Sequence, residues 1–187
     1  MKLRFAIVLG LFAALALPSA SQAALPRTST TLIVPGSSIG GLKLGAKLSQ
    51  VTKAWGATKS CEYQCLYEGG KGKEETAALA SVLLESKQPG APGKVWLMSL
   101  NVGFKTVHGE SVPNFRTPLT KFRTAKGIGL GSKVSEVQRA YPKAEKHVST
   151  GGYGYFEIPG PKEIATDLTF NAEKRITTVA VESHHGG

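Results

Sequence analysis

A twelve-residue pattern occurs twice in this sequence. LGAKLSQVTKAW, from Leu44 to Trp55, lies over LGSKVSEVQRAY, from Leu130 to Tyr141, at a constant offset of 86. Six of the twelve positions are identical, and most of the others are conservative, including Trp55 against Tyr141. The same offset sets Ser81-Val82-Leu83-Leu84 over Asp167-Leu168-Thr169-Phe170. Self-similarity at a fixed spacing marks repeated structural units, so whatever one segment folds into, the other is expected to fold into as well.

Within each copy the apolar residues step by three and four: Leu48, Val51 and Trp55, then Val134, Val137 and Tyr141. That spacing lays one stripe along a short helix facing a core. Gly45 and Gly131 suit a sharp turn just before it, Gln50 and Glu136 can reach back to its N-terminus, and Gly56 and Pro142 stop it. Short β-branched or aromatic runs follow. They are Cys61–Tyr67, Ala77–Glu85 and Val95–Val102 in the first copy, then Tyr153–Ile158, Ile164–Phe170 and Arg175–Glu182 in the second. EETAALASVLLES, from Glu74 to Ser86, has a helix-former's composition. It is read as a strand because its counterpart, TDLTF, is a poor helix former. The expected fold is therefore α+β: two homologous units, each a short helix followed by about three antiparallel strands, with the helices packed on one face of the sheet.

Residues 1–23 stand outside this scheme. Lys2 and Arg4 precede an apolar run from Phe5 to Leu17, then Pro18 and small residues ending at Ala23, the pattern of a cleavable signal peptide. The run is shorter than the roughly 20 residues a membrane span needs. Cleavage after Ala23 would carry off Lys2 and Arg4, lowering the formal charge from +10 to +8, and would deliver a secreted or periplasmic protein without a transmembrane segment. The expected divisions are an N-terminal extension (24–36), repeat unit 1 (37–104), a linker (105–124) and repeat unit 2 (125–187). The linker's Val107, Val112, Phe115, Leu119 and Phe122 are read as anchors onto the surface.

The cysteines are Cys61 and Cys65. Export makes a disulfide between them the default, but four residues of extended strand would separate their Cα atoms by about 13 Å, beyond the roughly 7 Å limit. A bonded pair therefore requires a tight bend at Glu62-Tyr63-Gln64. So short a loop stabilises by only about 2 kcal/mol on the chain-entropy model.

The repeated pattern, an apolar-Gly opening, a Val-bearing helix ending in an aromatic and then hairpins, resembles the tandem-repeat fold of the secreted β-lactamase-inhibitory protein and its relatives. Their single-unit cousins include the BamE type of outer-membrane assembly lipoprotein. The resemblance runs from about Ile39 to Glu182. It implies two helix-and-hairpin units and a role in binding protein surfaces through an open sheet face, with no target implied. Two departures stand against it: Lys47 and Lys133 occupy positions where that family commonly has a hydroxyl residue, and the second unit has no disulfide.

Catalysis finds little footing. The histidines are His108, His147, His184 and His185, and none sits in a nucleophile elbow, an HExxH helix or a P-loop. GGKGKEE, Gly69 to Glu75, lacks P-loop spacing and is read as a hairpin loop. No catalytic residue, cofactor or metal is expected. Among 13 acidic residues only Asp167 is an aspartate, which weakens metal-dependent and carboxylate-dyad schemes. Two binding readings remain. Tyr153 and Tyr155 are two apart, so on a strand they share the face opposite Phe156, and Tyr63 and Tyr67 could do likewise in the first unit. Tyrosine carries interface energy at low entropic cost. These four are the expected partner-binding residues of a non-catalytic module that binds or inhibits an unidentified protein. The alternative is a basic envelope protein holding anionic polymers through Lys121, Arg123, Lys126, Lys133 and Arg139, by a salt-sensitive mechanism without nucleic-acid specificity. A hydrolase with an unrecognised site comes last.

Overall fold

Glycines at positive φ, Gly45 (75°) and Gly131 (82°), make the turns that open the two repeated helices. After each turn the backbone N–H of Lys47 or Lys133 donates to the side chain of Gln50 or Glu136, at 2.8 Å in both cases. Loss of either bond, by Gln50→Ala or Glu136→Ala, is expected to cost about 1 kcal/mol, read as a lower urea midpoint with an unchanged slope. The computed structural model describes residues 25–58, 61, 63–69, 75–76, 78–85 and 93–183. The signal-peptide segment, Glu62, most of GGKGKEE and His184 and His185 lie outside them.

In chain order the elements are β1 (Leu32–Val34), β2 (Ser38–Ile39), β3 (Leu42–Lys43), α1 (Leu48–Trp55), β4 (Gln64–Gly69), β5 (Glu75–Thr76), β6 (Ala78–Leu84) and β7 (Val95–Asn101). There follow β8 (Gly103–Val107), β9 (Glu110–Asn114), β10 (Arg123–Thr124), α2 (Val134–Ala140), β11 (Glu145–Val148), β12 (Gly154–Pro159), β13 (Ile164–Phe170) and β14 (Ile176–Ser183). Short 3-10 turns occupy Pro118–Lys121 and Thr150–Gly152. The main sheet has seven strands in the order β11-β12-β13-β14-β7-β6-β4, and its neighbouring strands are all antiparallel. A four-stranded sheet (β10-β1-β2-β3) and a three-stranded one (β5-β8-β9) complete the fold.

This architecture corrects the expected α+β pair of helix-plus-three-strand units. The chain is mostly β, with two α-helices of only eight and seven residues against three sheets. The physical reason lies outside the repeated segments. The stretch between them turns back on itself at His108 and Gly109, both at positive φ (52° and 84°), the geometry of a tight hairpin turn. That turn pairs β8 with β9. Leu32 and Ile33, ahead of the first repeat, reach across to pair in parallel with Arg123 and Thr124. The β1–β10 pairing joins segments far apart in the sequence, and the β8–β9 hairpin, although local, lies in the stretch between the repeats that is expected to be a linker. Within Glu74–Ser86 the described residues Glu75–Thr76 and Ala78–Leu84 adopt strand, as β5 and β6, tertiary context overriding their helical preference.

The core forms on one face of the main sheet. Cys65 and Tyr67 of β4, Ala80 and Val82 of β6, Met98 and Leu100 of β7, Val179 and Val181 of β14, Leu168 of β13 and Phe156 of β12 are buried in one cluster. Ladder pairing carries this inward row across all six strands, Tyr67↔Ala80↔Leu100↔Val179↔Leu168↔Phe156. Val51 and Trp55 of α1 and Val134 and Val137 of α2 belong to the same cluster. The helices therefore cover the inward face, and the alternate residues of every strand point the other way.

Candidate functional site, the outer face of the main sheet

Four floor positions of the outward face are short and polar. The Ser81 and Ser99 hydroxyls are 2.8 Å apart, Asn101 Nδ2 donates to Ser99 Oγ at 3.1 Å, and Thr178 Oγ1 donates to Asn101 Oδ1 at 2.8 Å. This chain of bonds spans β6, β7 and β14, and it fixes the seam where β7 meets β14. On one side of it stand the half-buried Leu66, Leu79, Leu83 and Leu97. Trp96, the extra residue where the β6–β7 register slips between Leu83 and Leu84, is exposed beside them.

On the other side Tyr155 stacks on His147, with ring centroids 4.5 Å apart and planes inclined by 15°. Their strands bring them directly opposite one another, where cross-strand aromatic contact is strongest. His147 Nε2 lies 3.9 Å from a Glu145 carboxylate oxygen. Phe156 between them is buried among the core residues, and Tyr155 is 37% exposed on the outward face, as the two-residue period of a strand requires. Tyr153 is 55% exposed just ahead of β12, and its carbonyl accepts a bond from the Ser149 N–H at 2.9 Å.

Of the first copy's tyrosines, Tyr63 is exposed beside the Cys61–Cys65 pair. Those cysteines are disulfide-bonded, with Cα atoms 4.1 Å apart, so the chain does bend tightly between them. Tyr67 lies on the inward face instead. It is 1% exposed, its ring meets Trp55 edge-on with centroids 5.5 Å apart, and its hydroxyl donates to the Gly56 carbonyl at 2.8 Å. It sits four residues after Tyr63, but Tyr63 precedes the regular strand, so their separation does not place them on one face. Burial pushes the Tyr67 phenol up to about 12.

The candidate cations gather only in part. Arg123, Lys126 and Arg139 line an open hollow of about 770 Å³ together with Glu136, whereas Lys121 and Lys133 are exposed but do not line it. Two of the three are committed to the fold. Arg123 donates to the Thr120 carbonyl at 3.0 Å and to Ser132 Oγ at 2.8 Å. Lys126 Nζ donates to the Ala140 carbonyl at 2.6 Å and lies 4.7 Å from the Tyr141 ring centroid, closing the C-terminus of α2. His108 is a turn residue. Among the described residues no group of three or more His, Cys, Asp or Glu is placed to hold a metal, and no helix is long and apolar enough to cross a membrane.

Sequence reasoning passes over Glu68, Glu145, Glu157 and Glu182, carboxylates of the outer face. The signal was there: Glu145 and His147, Tyr155 and Glu157 are spaced by two on runs that pair. Seeing it requires the register. No family model, curated protein or solved structure matches this chain.

Proposed function

We propose that this chain is an exported, non-catalytic binding module that holds another protein against the outer face of its main sheet. The observation that carries the reading is the exposed Tyr155–His147 stack on a sheet face that neither helix covers. A rigid aromatic pair presents a large contact area with little side-chain entropy left to lose. The hydrogen bonds from Ser81 to Thr178 tie β6, β7 and β14 together beneath that surface. Tyr153, exposed just ahead of β12, adds to this aromatic surface.

The test is a pull-down with the purified protein from the producing cell's envelope and culture medium, washed at low and high salt. A discrete protein retained at high salt, and lost when Tyr155→Ala replaces the wild type, supports the reading. Material released by salt, or nucleic acid and anionic polymer alone, would favour the Arg123–Lys126–Arg139 hollow instead, because counterion release makes polyanion binding steeply salt-dependent. Tyr155→Ala is expected to change the unfolding free energy by less than about 1 kcal/mol while weakening partner binding at least tenfold, about 1.4 kcal/mol. A large loss of stability from this change would assign Tyr155 to packing.

A further inference from the structure

Charge on the outer face is of one sign. The chain has 23 Lys and Arg against 13 acidic residues, so a face drawn at random would be mostly basic. The outward positions of the seven strands hold Glu68, Glu145, Glu157, Asp167 and Glu182, and among the described residues they hold no lysine or arginine.

The carboxylates are also set against each other. Glu145 is directly opposite Glu157, and Glu157 is directly opposite Asp167. Like charges in direct cross-strand register are destabilising. The lysine nearest this edge goes elsewhere: Lys146, between Glu145 and His147, points inward, with its Nζ 5.8 Å from the Phe156 ring centroid and 5.9 Å from that of Phe170. The row thus runs alongside the Tyr155–His147 stack, a patch of negative charge and aromatic surface on an otherwise positive protein.

Resting on the binding reading above, we propose that the partner is a cationic protein segment, whose lysines or arginines meet Glu145 and Glu157 while its apolar side chains pack on Tyr155. Complementary charge brings such a segment to this face, and the protein's net positive charge turns it away from the rest of the surface. Opposed potentials of this kind give specificity and register more than raw affinity. Arginine suits the site best, since its planar guanidinium can bond a carboxylate with two N–H groups and lie on an aromatic ring at the same time.

The experiment is fluorescence anisotropy of a labelled decapeptide of alternating arginine and alanine, titrated with the full protein, beside a glutamate–alanine decapeptide of equal length. Binding of the cationic peptide by this net-positive protein is expected, with at least a tenfold weaker Kd in the Glu145→Gln/Glu157→Gln double variant. The control is Glu110→Gln/Glu173→Gln, which changes the net charge equally on other parts of the surface and is expected to change Kd less than twofold. Preference for the anionic peptide, no binding of the cationic one, or equal losses in the two double variants would overturn the proposal. The pull-down separates this failure from that of the broader reading. A partner still captured by the Glu145→Gln/Glu157→Gln protein but lost with Tyr155→Ala leaves the binding face standing and removes only its cationic partner.

Discussion

Replacing Trp55 by alanine is expected to cost about 3–5 kcal/mol and to lower the melting temperature by roughly 10 °C or more. The indole is 1% exposed and does three jobs at once. It ends the buried stripe of α1, its ring edge meets Tyr67 on β4 with planes inclined at 75°, and its Nε1 donates to the Ile39 carbonyl of β2 at 3.1 Å. Helix, main sheet and four-stranded sheet are therefore joined through one side chain. Truncation leaves a cavity and removes the indole's bond to the Ile39 carbonyl together. Trp55→Phe separates the two effects, since it keeps most of the volume and loses the N–H. Its expected cost is about 1 kcal/mol, the net contribution of one hydrogen bond. The repeat supplies an internal comparison. Tyr141, the counterpart of Trp55, is only partly buried and has Lys126 over its ring, so Tyr141→Ala is expected to cost less than half as much. Equal losses at the two positions, measured by urea unfolding, would show that the two helices are anchored alike.

The difference between those two aromatics shows what the sequence could and could not reveal. The three-and-four spacing placed both helices, and the short β-branched runs placed six of the main-sheet strands to within a few residues, because those signals are local. Even the alanine-rich Glu74–Ser86 segment was legible as strand once its repeat partner was weighed. The strands that turned an α+β expectation into a mostly β protein, β1 against β10 and β8 against β9, are held by backbone pairings between residues with no shared periodicity. A repeat also suggests more equivalence than it delivers. Tyr63 and Tyr67 were set beside Tyr153 and Tyr155 as surface residues. Tyr67 falls at an even step along β4 from Cys65, which the core buries, and it goes inward with it. The face on which Tyr155 stands could be inferred from Phe156 alone. That the same face gathers carboxylates and excludes lysine could not, since the row Glu145–Glu157–Asp167 exists only after three strands are in register.

The burial of Tyr67 predicts an alkaline instability that crosses over in a simple variant. An ionised phenolate is disfavoured in the core, so the folded state holds the proton up to about pH 12, whereas the unfolded chain releases it near the ordinary value of about 10. Between these limits the unfolded state binds fewer protons than the folded one, so stability falls as pH rises, and below pH 10 this loss is absent. The difference amounts to roughly 2 kcal/mol by pH 11.5. Tyr67→Phe keeps the ring against Trp55 and removes the ionisable group, at the expense of the bond to the Gly56 carbonyl. At pH 7 the variant is therefore expected to be about 1 kcal/mol less stable than wild type, and above about pH 11 the order reverses. Urea midpoints of both proteins between pH 7 and 11.5 provide the check. Because the other titrating groups are common to both, the difference between the curves belongs to Tyr67 alone. Curves that stay parallel across the range would mean that the phenol at position 67 ionises as easily in the folded protein as in the unfolded chain, and would place it in contact with water.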